Sequence, residues 1–236
     1  MKKILLVLSG IALFAITACA AQEGNKVIGM GSAGVGVVKD GVIRFYSPGE
    51  ESWEAETDSD LTLPKGWKSV FSLGIAGVGV VVDDKVQFYS PEEEGWKYQA
   101  DSDFALPSGC KTVFAFGPSA IGLVVNDTMQ MYTPGENEWK YEADGDFALP
   151  KGYKSVFGLS LGALGLVIND KVQIYTPDAK GWKLEEGSDL TLPSGYQSVI
   201  DMGLAGVGVV MKDKVQFYSP EENGWKYQAD SDLSLQ

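Results

Sequence analysis

The stretch KVQFYSPEEEGWKYQADSD, Lys85 to Asp103, returns as KVQFYSPEENGWKYQADSD at Lys214 to Asp232, with Glu94 replaced by Asn223 as the one difference. The two copies start 129 residues apart, which is three times 43. The same step of 43 links Tyr46, Tyr89, Tyr132, Tyr175 and Tyr218, and it links Trp53, Trp96, Trp139, Trp182 and Trp225. Ile28, Phe71, Phe114, Phe157 and Ile200 keep the same register. From Gln22 to Gln236 there are 215 residues, five units of 43 without insertion or deletion. A fixed period of this length marks one supersecondary unit stacked on copies of itself.

Within a unit the pattern reads as four short strands. KSVFSLG (Lys68 to Gly74) is apolar with small residues, and VGVVV (Val78 to Val82) is rich in valine. A two-residue turn follows at Asp83-Asp84, matched by Asp40-Gly41, Asn126-Asp127, Asn169-Asp170 and Lys212-Asp213. Asp, Asn and Gly suit the positive backbone angles of a tight hairpin. KVQFYS (Lys85 to Ser90) alternates polar and apolar, GWKYQA (Gly95 to Ala100) makes a fourth strand, and DSDFALPSG leads to the next unit through Pro107 and Gly109. No apolar pattern of helical period runs long enough to compete. The prediction is an all-β fold, a five-bladed β-propeller of 43-residue four-stranded repeats spanning residues 27–236, with blades at about 22–64, 65–107, 108–150, 151–193 and 194–236.

The spacing from Tyr89 to Trp96, the turn YSPEEEGW and the Gly77-x-Gly79 upstream are similar to the kelch repeat. The chain departs from that pattern in lacking the glycine doublet and in its shorter period. The resemblance implies tryptophans packed between blades. Ring closure has no obvious exchanged strand, because the chain starts at an innermost strand and finishes after an outermost one. Packing of the tail, Ser231 to Gln236, over the first blade is therefore expected. Near-identity on polar positions such as Lys97, Gln99 and Lys226 follows either from recent duplication or from repeated use of one surface.

Before the repeats, MKKILLVLSGIALFAITAC has a basic start followed by an apolar run, the pattern of an export signal over residues 1–18. It ends in ITAC, Ile16 to Cys19, which resembles the lipobox of bacterial lipoproteins. That resemblance implies a lipid on Cys19 as first mature residue, and Ala20 after it resembles outer-membrane sorting in the cell envelope. Residues 19–26 then form a tether, reaching roughly 25 Å at about 3.5 Å per extended residue and keeping the disc near the bilayer. The second cysteine, Cys110, stands where other units have Trp67, Tyr153 and Tyr196. It reads as a small apolar substitute, not a reactive thiol.

Lysine and arginine number 19 against 32 acids, a net charge of −13, which repels nucleic acid. With no histidine, catalysis by histidine-paired serine or cysteine and histidine metal sites are excluded. Paired carboxylates remain, as in five-bladed propeller glycosidases, which resemble this fold in outline. The matching inner position here reads Gly29, Ser72, Ala115, Gly158 and Asp201, a single acid where that chemistry takes two. The chain is therefore read as no enzyme and as needing no cofactor. Calcium is the ion to weigh, since Asp58–Asp60, Asp101–Asp103, Asp144–Asp146 and Asp230–Asp232 offer oxygens, with Gly187–Asp189 the departing member. Two acids per loop fall short of the six or more ligands that calcium takes.

Aromatic residues carry the stronger signal. Trp53, Trp96, Trp139, Trp182 and Trp225 open the outer strands, and Trp67, Tyr153 and Tyr196 follow LPKG or LPSG turns. Exposed rings beside carboxylates and amides stack on sugars and bind their hydroxyls. Gln87, Gln130, Gln173, Gln216 and Asp103 with its equivalents are the polar candidates. The leading expectation is a multivalent, lectin-like surface lipoprotein whose repeated sites act by avidity. A protein-interaction scaffold marked by Asp201, Cys110 and Arg44, the sole arginine, is the alternative, followed by a structural product of repeat amplification.

Overall fold

Valine-rich runs between Gly, Asn and Asp turns form the strands, because branched side chains fit a pleated surface and the turn residues tolerate positive φ. A computed structural model describes residues 27–50, 52–117, 120–136, 138–159, 162–222 and 224–236. The signal segment 1–18, the lipidation candidate Cys19 and the tether to residue 26 lie outside the described residues. No described helix is long and apolar enough to cross a membrane.

Five antiparallel sheets stand in a ring, each built from one repeat: a five-bladed β-propeller. In the second blade the strands run Trp67–Ser72, Val78–Val82, Lys85–Glu92 and Gly95–Tyr98, from the axis outward. The second strand is buried on both faces, since each face meets a neighbouring blade. The third strand alternates, with Val86 and Phe88 buried and Lys85, Gln87 and Tyr89 on the other side. The register pairs Val78 with Tyr89, and Tyr89 in turn with Tyr98.

Each blade holds slightly more structure than the four-strand reading gives. Phe104–Ala105, expected within the connection to the next unit, is a two-residue strand paired with Val86 and Lys85. Leu61–Thr62, Leu190–Thr191 and Leu233–Ser234 do the same in other blades. In the third blade the outer strand runs on continuously as Trp139–Ala148, with a bulge between Met129 and Met131 opposite. Positive φ occurs at both turn residues in Asp40-Gly41, Asn126-Asp127 and Asn169-Asp170. It is absent from Lys212-Asp213, where the second strand ends early at Val210 and Met211 N–H bonds the Lys214 carbonyl at 2.8 Å.

The core is divided into five clusters, one per seam between blades. The fifth seam joins Val27 and Val35 of the first blade to Ile200, Phe217 and Leu233 of the last. Leu235 packs there beside Val37, Tyr46 and Trp53, so the tail lies against the first blade, and the strand Leu233–Ser234 stays in its own sheet. Near the axis the inner strands approach so closely that a Cβ on Gly29 would stand 1.8 Å from the Asp201 carbonyl oxygen. A Cβ on Gly158 would stand 1.9 Å from that of Ala115.

Candidate functional site

The five outer-strand tryptophans lie in the seams. Each indole N–H donates to a backbone carbonyl of the preceding blade: Trp96 to Ser59 at 2.6 Å, Trp139 to Ser102 at 3.1 Å, Trp182 to Gly145 at 3.0 Å and Trp225 to Ser188 at 2.6 Å. Trp53 closes the ring by donating to Ser231 at 2.7 Å. Three of the rings stack on phenylalanine across the seam, Trp96 on Phe45, Trp139 on Phe88 and Trp53 on Phe217, with centroids 5.0–5.1 Å apart. Stacking and a satisfied indole N–H are what a half-buried tryptophan gains from such a site.

The same contacts give the aspartate motif a structural part. Its middle residue, Ser59, Ser102, Gly145, Ser188 or Ser231, presents the carbonyl that the next tryptophan reaches. Its last residue pairs within its own blade: Asp103 with Lys85 at 2.5 Å, Asp232 with Lys214 at 2.6 Å, Asp189 with Lys171 at 3.4 Å and Asp60 with Arg44 at 3.8 Å. Among the described residues no three acids or cysteines gather at one point.

The loop aromatics are also in seams. Trp67 packs against the first seam's core. Tyr153 donates to Asp127 at 2.8 Å and Tyr196 to Asp170 at 3.0 Å, each reaching the preceding blade's hairpin turn. Lys111 and Lys154 complete these groups at 2.7 and 2.6 Å. Bonds from lysine and tyrosine hold the Asp127 and Asp170 carboxyls below their ordinary range, and burial with the Asp127 bond pushes the Tyr153 phenol up to about 12. Cys110, at the corresponding place, is buried in the second seam.

The inner strands surround a cavity of about 350 Å³ lined by Phe71, Phe114, Phe157, Ser72 and Asp201 among others. Asp201 Oδ1 accepts from Gly203 N–H at 3.0 Å, and Ser72 Oγ accepts from Gly74 N–H at 2.9 Å, so both hold the short turn that follows.

A third group, absent from the sequence-level candidates, is the most open. Tyr98, Tyr141 and Tyr227 are the exposed aromatics of the outer strands, 36%, 40% and 36% accessible. Each leans on the tyrosine opposite, Tyr89, Tyr132 or Tyr218, with centroids 5.2–5.4 Å apart. Each donates its hydroxyl to the motif's last aspartate: Tyr98 to both oxygens of Asp103 at 2.7 and 2.8 Å, Tyr141 to Asp146 at 2.5 Å, Tyr227 to Asp232 at 2.7 Å. The bond to Asp146, reinforced by burial and the carboxylate's charge, raises the Tyr141 phenol to about 12. Gln87 and Gln216 lie alongside, their amide oxygens accepting from Tyr89 at 3.2 Å and Tyr218 at 3.4 Å. In the second and fifth blades the set is identical: Lys85, Gln87, Tyr89, Tyr98, Asp103 and Lys214, Gln216, Tyr218, Tyr227, Asp232. In the fifth, Asp232 Oδ1 is shut off from solvent with no hydrogen-bond donor among the described residues. The first and fourth blades lack the exposed ring, having Ala55 and Leu184 in its place. The signal in the sequence was the two-residue spacing that puts Tyr98 on the same strand face as Trp96.

No family model matches the chain, and no curated protein matches it. Among solved structures it is similar to a functionally unknown protein from Desulfotomaculum acetoxidans, at 12% identity and a TM-score of 0.46, covering 82% of this chain and 78% of that one. It is also similar to a protein from Lactobacillus plantarum, at 12% identity and a TM-score of 0.43, covering 89% of this chain and 72% of that one.

Proposed function

We propose that the protein is a non-enzymatic binding module that presents equivalent aromatic–carboxylate sites to carbohydrate, the best formed in the second and fifth blades. The observation that carries this reading is the exposed Tyr98 and Tyr227, each donating to an aspartate that a lysine also pairs, with the same set of residues in both blades. A ring face accepts the apolar side of a sugar, while the surrounding amide, ammonium and carboxylate groups exchange hydrogen bonds with its hydroxyls. All ten residues fall within the two near-identical stretches, which gives repeated recognition as a reason for their likeness. Two weak sites on one rigid ring gain strength on a ligand that is itself repetitive. In this reading the lipid on Cys19 holds the ring at a bacterial envelope, and calcium is not required.

The test is a glycan array probed with the purified chain, with and without calcium, followed by calorimetry on the best ligand. The expected result is calcium-independent binding to one sugar class with two equivalent sites. Tyr98→Ala should leave one site, and Tyr98→Ala with Tyr227→Ala should leave none while circular dichroism shows the chain still folded. A blank array overturns the carbohydrate reading and favours the protein scaffold.

A further inference from the structure

The strand order fixes which loops share a face. Connections from first to second strand and from third to fourth emerge on one side of the ring. Hairpin turns from second to third strand, and the linkers between blades, emerge on the other. Val27 enters its inner strand from the hairpin side, because that strand runs toward the short turn Gly31–Ala33. The short-turn face is therefore opposite the side on which the N-terminal segment joins the ring.

That face has an apolar centre. Ile75 and Leu204, at the tips of the turns Gly74–Ala76 and Gly203–Ala205, are 78% and 75% exposed, far beyond any other large apolar side chain described. Both turns pack against the first blade's turn, where Ser32 holds the equivalent position. Ile75 also lines the mouth of the central cavity, with Gly31, Gly74, Gly117 and Gly162. Around this centre, the turns between third and fourth strands carry Glu50, Glu93, Glu94, Glu136, Glu138 and Glu222, all exposed and none in an ion pair among the described residues. The fourth blade alone sets a lysine, Lys180, in that turn. Lys97 and Lys226 are already matched by Glu92 at 3.2 Å and Glu221 at 3.5 Å. Most of the uncompensated charge on this face is negative.

We propose that the short-turn face is a docking site for a basic segment of a partner protein, with apolar side chains of that segment seated on Ile75, at the cavity mouth, and on Leu204, across the first blade's turn from it. Two exposed apolar side chains, one of them beside a concave opening, have surface to bury, and the acidic turns around them select cationic flanks. The acids also exclude other apolar partners that lack positive charge. This surface is separate from the tyrosine clusters and does not depend on their reading.

The test titrates the full chain, purified, against the fluorescein-labelled peptide KRLLRK by anisotropy, with KRGGRK as comparison. Saturable one-site binding of KRLLRK is expected, and KRGGRK should bind about tenfold more weakly, because two leucines leave water only in the first. Ile75→Ser with Leu204→Ser should lower affinity about tenfold without changing charge. Serine is native at position 32, so the variant should keep the wild-type melting temperature. Glu93→Gln with Glu94→Gln and Glu222→Gln should weaken binding and flatten its dependence on salt. Tyr98→Ala with Tyr227→Ala should leave it unchanged. No binding of KRLLRK, equal binding of the two peptides, or unchanged affinity in the serine variant each overturns the proposal.

Discussion

At the scale of single residues, the seams depend on atoms that composition does not reveal. The tryptophan clamps are one case. Removing the indole N–H of Trp225 while keeping an aromatic ring, as Trp225→Phe, breaks the 2.6 Å bond to Ser188. That should cost about 1 kcal/mol, seen as a fall of about 2–4 °C in melting temperature. A second case is Gly29, whose missing Cβ admits the Asp201 carbonyl. Gly29→Ala forces the first and fifth blades apart and should destabilise by about 3 kcal/mol in a denaturant melt. A third is Tyr141, whose phenol is raised from 10.0 to about 12 by its bond to Asp146. The folded chain then holds a proton that the unfolded chain releases above about pH 10. The stabilisation is complete below that pH and is lost as pH climbs toward about 12. Absorbance titration at the phenolate band should show the late-titrating amplitude, to which Tyr153 also contributes, fall by one group in Tyr141→Phe, and one group shift down in Asp146→Asn.

At the scale of strands and turns, the five hairpins offer a comparison inside one molecule. Asn169-Asp170 adopts positive φ at both positions and supports pairing through to Ile168 and Lys171. Lys212-Asp213 does not, and its ladder stops between Val210 and Val215. Replacing Lys212 and Asp213 with Asn and Gly should extend that ladder and stabilise by about 0.5–1 kcal/mol, measured by denaturant midpoint. The same elements show what a linear reading can reach. The four main strands, their hairpins and the inner position shared by Gly29, Ser72, Ala115, Gly158 and Asp201 follow from period and alternation, which are local. The two-residue strands such as Phe104–Ala105 were not legible, because two residues carry no period and their pairing partner lies 18 or more positions away. The openness of Tyr98 was hidden for a related reason. Trp96 and Tyr98 share a strand face, yet only the tryptophan lies far enough into the seam to find the neighbouring blade's carbonyl. Likewise the aspartate motif read as possible ion ligands, and only the fold shows its middle carbonyl and its last carboxylate already engaged.

At the scale of the whole ring, five seams share one tryptophan clamp, and the fifth alone joins the two ends of the repeat array. Deleting residues 230–236 removes Leu233, Leu235 and the carbonyl that Trp53 reaches. The ring is then open on one side, and the loss of stability should exceed that of Trp225→Phe several-fold, with a broadened melt as the blades unfold less cooperatively. The fifth clamp also has a temporal consequence. As the chain leaves the ribosome, Ser59, Ser102, Gly145 and Ser188 each precede the tryptophan that will bind them, so four seams can form in order of synthesis. Trp53 is different, since its acceptor is made 178 residues later. The first blade must wait through nearly the whole of translation with one flank bare, which makes it the segment most exposed to chaperones and proteases before the circle shuts.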